Sequence, residues 1–334
     1  MNRFWTLVLL SLLALPMGLH SQQSYPWTQI DSLLEQGLNR SALEKAEEVY
    51  QSAKTAKDQE NQLKALNYIL VQSRQLNEKG DSVALARATQ ALGETEGPAQ
   101  AIVNSLIANQ YLTYYRQNRY RILRRTEREV ASEDFQTWDV RKLQAVIAQH
   151  YAASIADIEL LQATEARFYP SLVDTFENST VYRPTLYDLL AHQALDYYLQ
   201  PEYGLSDAQG SYQPDKNLLA PASQFANLAL VSADSLSRSY RSILLFQRLL
   251  QAHVGEAAPT IDLELKRLPY LRTLLRGSET DSTVLAMYEA LFEQYQNEPT
   301  AGEIQIAIAQ MYHERGQKYD AQSRPELQWE TKRA

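Results

Sequence analysis

The sequence predicts an all-α fold: an array of antiparallel helix hairpins stacked as an α-solenoid superhelix. Three observations predict it. Apolar residues recur at i, i+3, i+4 and i+7 along almost the whole chain after residue 26. Glycine (11) and proline (12) are scarce among 334 residues, which argues against a turn-dense β sandwich and for long helices with short joints. Where prolines do occur they often fall at helix starts, as at Pro98, Pro184, Pro299 and Pro325.

The chain opens on "MNRFWTLVLLSLLALPMGLHS", with Arg3 as a positive start, an apolar run from Phe4 to Leu15, breakers at Pro16 and Gly18, and a small residue, Ser21, at the cleavage edge. The run is shorter than the ~20 residues needed to cross a bilayer, so residues 1–21 are expected to be a signal peptide that exports the chain to the periplasm or cell envelope. No transmembrane segment is expected after its removal.

A helical domain is expected over 22–201. Ile30, Leu33 and Leu34 form a first stripe that stops at Gly37. Ser41 is placed to cap a second helix bearing Leu43, Ala46, Val49 and Tyr50, and a third carries Leu63, Leu66, Ile69, Leu70 and Val71. These two with their short polar turn have the size of a solenoid hairpin. Asp81 and Ser82 start a helix with Val83, Leu85 and Ala88 on one face. Pro98 opens a long helix through Ile102, Leu106 and Tyr111 into the arginine-rich "YYRQNRYRILRRTEREV". Around Ser132, Asp134 and Asp139 another begins, running without a break through Leu143, Val146, Ile147, Tyr151, Ile155 and Ile158 to about Leu161. "RPTLYDLLAHQALDYYLQP" is bounded by Pro184 and Pro201, with Leu186, Leu189, Leu190, Ala194 and Tyr197 on one side.

Residues 202–221, "EYGLSDAQGSYQPDKNLLAP", concentrate the breakers and are expected to be a linker or long loop. A second helical part is expected over 222–334. It resumes at Ser223, continues from Asp234 through Ile243, Leu244, Phe246, Leu249 and Leu250, and adds a pair near 258–275 and 280–296. "ALFEQYQNEPTAGEIQIAIAQMYHERGQ" makes the region near 280–317 TPR-like: Pro299 opens a helix carrying Ile304, Ile306, Ile308 and Met311, and Gly316 closes it. The Trp, Leu and Gly positions of that repeat's first helix are missing. A last helix begins at Pro325 and stops about three turns in, so the array is expected to be incomplete at its C-terminus.

Charge bears on partners. The first 21 residues hold Arg3 and no acid, so removing them takes the formal charge from −8 to −9. An acidic exported chain is a poor nucleic-acid binder, and no nucleic-acid partner is expected. On a helical projection Arg121, Arg124, Arg125 and Arg128 share one face, diluted by Glu127 and Glu129, while Tyr111, Leu112, Tyr115, Ile122, Leu123 and Val130 gather opposite. The favoured reading is a solvated helix face; the alternative is a docking face for a protein partner. Arg119 falls inside the apolar stripe, its stem laid along aromatic rings or its head paired with an acid.

No catalytic, cofactor-binding or metal-binding residue is assigned, and no cofactor is expected. The chain lacks cysteine, which removes thiol nucleophiles, thiolate metal sites and any internal thioester. His20, His150, His192, His253 and His313 show no i, i+4 pairing and no H-E-x-x-H; His150 and His192 are read as packing residues. G-x-S-x-G, G-x-x-x-x-G-K-[ST] and G-x-G-x-x-G are absent. Carboxylate pairs such as Glu47/Glu48 fall on exposed faces, and the 21 tyrosines suit helix–helix seams with their hydroxyls reaching water.

Four stretches bring a family into view: "WTQIDSLLEQGLNRSALEKAEEVYQSAK", "YYRQNRYRILRRTE", "DFQTWDVRKLQAVIAQHYAASI" and "YRPTLYDLLAHQALDYY". Their order resembles the N-terminal helical region of large bacterial alpha-2-macroglobulin-like proteins, over most of residues 27–317. The resemblance implies an exported, envelope-associated protein of the protease-trap type, whose working parts are β-rich domains, a cleavable bait segment and, in many members, a Cys/Gln thioester. This chain carries none of those parts, so no functional residue transfers. What the resemblance implies here is a non-catalytic scaffold or docking module whose partner is the downstream part of the same protein. The alternative reading is a self-contained secreted α-solenoid that binds a protein or peptide.

Overall fold

Short joints between amphipathic segments set the architecture. A computed structural model describes residues 24–125, 133–169, 179–200, 212–232, 234 and 237–334. The signal peptide expected at 1–21 lies outside them. Among the described residues there are fifteen α-helices and no strands: α1 (Trp27–Glu35), α2 (Asn39–Ala56), α3 (Gln59–Leu76), α4 (Gly80–Leu92), α5 (Gly97–Ile122), α6 (Val140–Ser154), α7 (Ile158–Ala163), α8 (Ser179–Tyr182), α9 (Leu186–Tyr198), α10 (Ala222–Phe225), α11 (Arg238–Ala252), α12 (Ala257–Leu275), α13 (Ser278–Tyr295), α14 (Ala301–Gly316) and α15 (Glu330–Arg333). Each long helix packs mainly on the one before and the one after, the pattern of stacked hairpins.

Hairpin α2–α3 shows how sequence sets a joint. Lys57 ends α2 in the left-handed region at φ 57°, and Asp58 caps α3 by accepting from the Asn61 amide at 3.1 Å. Ala42, Ala46, Val49 and Tyr50 then face Leu63, Leu66, Ile69 and Leu70 in one core. Ser41 lies inside α2, which begins three residues earlier than a Ser41 cap implies. At the next joint a Cβ on Gly80 would sit 2.1 Å from the Arg74 carbonyl oxygen, so only glycine fits. Arg74 spans that joint, pairing with Asp81 at 2.9 Å and donating to Gln110 of α5.

Two expectations are corrected here. The single helix read from about 134 to 161 is two: Ser154 ends α6, and Asp157 caps α7 through the Leu160 amide at 3.2 Å. Asp139 is the true cap of α6, accepting from the Lys142 amide at 2.9 Å. The C-terminal helix read from Pro325 is a single 3-10 turn (Pro325–Leu327) followed by the short α15.

Helix α9 departs from its one-sided stripe. Leu186, Leu190, Ala194 and Tyr197 are buried as the spacing predicts, and so are Tyr187, Ala191, Leu195 and Tyr198 around the other side. A helix apolar over most of its circumference must be largely enclosed; α9 packs on α5, α6, α7 and α11 and leaves Gln193 and Asp196 exposed. Thr185 and Asp188 form a capping box at its start.

The far half of the 202–221 segment is packed; its residues 202–211 lie outside the described residues. Leu218 and Leu219 are buried, and Arg267 of α12, which is 0% exposed, reaches out to hold their backbone. It donates to the Leu218 carbonyl at 2.6 Å and the Ala220 carbonyl at 3.0 Å, pairs with the buried Glu264 at 2.7 Å, and lies over the Phe225 ring at 4.2 Å. Each nitrogen of the guanidinium meets an acceptor, which helps a buried charge to be tolerated.

This arrangement yields a prediction. Arg267→Met leaves Glu264 as an uncompensated buried charge and should cost about 3–5 kcal/mol in urea unfolding. The double variant Arg267→Met/Glu264→Leu should regain part of that loss, since the charge is gone while the Leu218 and Ala220 carbonyls still lack a donor.

Candidate functional site

The four arginines of the projected face do not share a helix. α5 ends at Ile122, and Leu123–Arg125 form a turn closed by the Arg125 amide on the Ile122 carbonyl at 3.0 Å. Arg121 is exposed and donates to Asn118 Oδ1 at 2.8 Å and to the Tyr114 hydroxyl at 3.3 Å. Arg124 is exposed. Arg125 is half-buried and donates to the Trp138 carbonyl at 2.6 Å, tying the end of α5 to the start of α6. Arg128 lies outside the described residues. The wet members are therefore Arg121 and Arg124, and Arg125 acts as a structural latch.

An aromatic nest under this end was not read from the sequence. Phe135 is buried edge-on against Tyr111 (5.5 Å between centroids) and Tyr114 (4.9 Å). Trp138 stacks on Tyr111 at 5.8 Å, and His150 stacks on the same ring at 6.2 Å. The only sequence signal is the pair of aromatics in a segment that is otherwise polar.

A second surface feature sits on α14. Ile304 and Met311, seven residues apart, are buried, while Ile306 is 60% exposed on the other side. Ile306, Ala309, Gln310, His313, Glu314 and Ala334 line an open, mainly apolar groove of 410 Å³. Trp329 is 61% exposed. Across the core, Arg272 of α12 bridges Asp281 of α13 (2.6 Å) and Glu314 of α14 (2.6 Å), which fixes the α14 face relative to the preceding hairpin. The hydrogen bond from Arg272, then Lys318, holds the Asp281 carboxyl below the usual carboxylate range.

Three histidines are held in distinct states. His150 Nδ1 meets Asn104 Oδ1 at 2.9 Å, and burial pushes its pKa down. His192 is pushed far down, by burial first and then by the charges of Arg183, Lys266 and His253; it stays neutral and accepts from Lys266 Nζ at Nδ1, 3.2 Å away. For His253 burial alone would lower the pKa, but Asp188 and Glu256, one at each ring nitrogen, outweigh it and raise the value. No group of His, Asp or Glu among the described residues has a metal-holding arrangement, and no described helix is long and apolar enough to cross a membrane.

Comparison of the chain with family models, with curated proteins and with solved structures gives no match.

Two predictions arise from this surface. Arg124→Glu should change stability by no more than about 0.5 kcal/mol, whereas Arg125→Glu, which sets a carboxylate against the Trp138 carbonyl, should cost about 1–3 kcal/mol; urea unfolding of each variant distinguishes them. The histidines also fix a pH dependence. The raised His253 contributes stability that is complete below the ordinary histidine value and is lost as pH rises through its folded value. The lowered His150 and His192 contribute stability that is complete above the ordinary value and is lost as pH falls. The urea midpoint should therefore peak near about pH 6.5 and decline on both sides.

Proposed function

We propose that this chain is a non-catalytic, exported helical scaffold, an α-solenoid that docks protein at the cell envelope as the N-terminal helical region of an alpha-2-macroglobulin-like protein. The observation that carries docking is the α14 face. Its groove, lined by the exposed Ile306 and by Ala309, is an apolar surface on α14. The hairpin-on-hairpin packing fits a solenoid, in which each unit buries its apolar face on the next. The four family-like stretches fall on α1–α2, the end of α5, the α5–α6 joint with α6, and α9, all of them packing elements. That matches a resemblance which implies structure and carries no chemistry. Exposed Arg121 and Arg124 add a second, basic point of contact for a protein partner. Neither nucleic acid nor a cofactor has a part in this reading.

One observation favours the alternative, a self-contained α-solenoid that binds a protein or peptide. The residues after α14 fold back onto it: a Cβ on Gly316 would meet Thr331 Oγ1 at 2.1 Å, and Glu330, buried, pairs with Arg315 at 3.3 Å. Part of the last long helix is thus closed off by the chain's own residues.

The size of the native protein decides between them. An antibody raised to residues 22–200 should detect, in the cell envelope, a species several times heavier than this chain. A band near the mass of residues 22–334 would overturn the larger-protein reading and leave the self-contained solenoid.

A further inference from the structure

Helix α9 meets the corner between α11 and α12 at one side chain. His253, the residue that ends α11, is 4% exposed. Its Nε2 lies 2.7 Å from Asp188 Oδ1 on α9, and its Nδ1 lies 3.1 Å from Glu256 Oε2 at the start of α12. The two carboxylates differ in freedom. Asp188 is 1% exposed, and its other oxygen accepts from the Thr185 amide at 2.9 Å and the Thr185 hydroxyl at 2.7 Å, so it is fixed in place. Glu256 has its side chain largely in solvent.

The remaining groups around the ring do not replace either carboxylate. From α9, His192 is neutral and engaged with Lys266. From α12, the Thr260 hydroxyl donates to the His253 carbonyl at 3.4 Å, and Tyr295 of α13 interacts with Thr260. Arg183 and Lys266 beyond them face Asp262 and Asp196 at 3.4 Å each.

An imidazole flanked by two carboxylates donates to both only when it carries both ring protons. If one proton leaves, the fixed Asp188 retains the Nε2–H, and Nδ1 turns a lone pair toward Glu256. The carboxylate with an exit is the one that departs. We propose that His253 is a proton-operated latch on the α11–α12 corner: the imidazolium ties Glu256 in, and the neutral ring lets residues 254–257 open. Loss of the proton takes the cluster of Asp188, His253 and Glu256 from a formal charge of −1 to −2, and the opening releases the corner that carries the exposed Val254. The raised His253 pKa agrees with this geometry and places the transition above the ordinary histidine range.

The test uses the full chain and Glu256→Gln, whose side chain lies at the surface, so the variant is expected to fold. A glutamine amide accepts from Nδ1–H or donates to the Nδ1 lone pair and so is indifferent to the ring's charge. Two readouts are taken from pH 5 to 9: the NMR titration of the His253 ring, and amide exchange at residues 254–258 corrected for intrinsic base catalysis. In the unaltered chain, protection of the corner should fall on the order of tenfold across the His253 midpoint. In Glu256→Gln the midpoint should drop by about one pH unit, and the corner's protection should no longer follow pH. An unchanged midpoint, or a loss of protection that persists in Glu256→Gln, would overturn the latch.

Discussion

Helix α9 gives solvent only the narrow strip that carries Gln193 and Asp196, and the rest of the array is arranged around its other faces. Eight of its apolar and aromatic residues are buried around its circumference. Its neighbours supply the enclosure: α5, α6 and α7 on one side and α11 on the other. Several of the polar atoms it takes inside are matched, while the buried Tyr187 hydroxyl has no hydrogen-bond partner among the described residues. Tyr197 and Tyr198 donate from their hydroxyls to the Gln144 and Ala148 carbonyls of α6, and Ser105 of α5 donates to Gln193. Its capping aspartate is closed by His253. A helix buried over most of its circumference joins the early hairpins to the later ones through a shared core.

Three arginines far apart in the sequence share one role. Arg125 holds the Trp138 carbonyl, Arg238 the Tyr197 carbonyl, and Arg267 the Leu218 and Ala220 carbonyls. Each guanidinium satisfies backbone oxygens at a place where a helix ends or an irregular stretch begins. Such oxygens have no helical partner, and burying them without a donor is costly. A planar fork with several N–H groups can serve two carbonyls and a carboxylate together, as Arg267 does. These three guanidinium groups are thus used to close the fold's own joints.

The helices were legible because their signals are local. Apolar spacing gave nearly every long helix, and Pro98, Pro184 and Gly37 marked boundaries that the structure keeps to within a residue or two. Asp157 was an equally local signal: an acidic residue just ahead of an apolar group, and it caps α7. The continuous stripe from Leu143 to Leu161 hid it, because the break at Ser154 does not disturb the spacing of the apolar residues. The burial of Arg267 was not legible, since its acceptors are carbonyls 47 and 49 residues away that any sequence supplies. The same holds for His253 and Asp188, 65 residues apart. Among the candidate docking arginines, the shared face assumed that α5 continues past Ile122, and the turn at Leu123–Arg125 separates them. The α14 groove follows from the spacing of Ile304 and Met311, which puts Ile306 outside, yet isoleucine at that position reads as core until the neighbour that fails to cover it is known.

One contact gives the second half of the array a particular mechanical character. Tyr182 of α8 donates to Glu303 at the start of α14, across 121 residues of sequence, while Arg183 beside it pairs with Asp262 of α12. A stack whose members touch only their sequence neighbours peels from its end one hairpin at a time, each step bearing the whole load. Here a tensile load on α14 divides between two routes, one back through α13 and α12 and one directly to the segment ahead of α9. The two routes form a truss, so the span from α9 to α14 would yield as a unit under force.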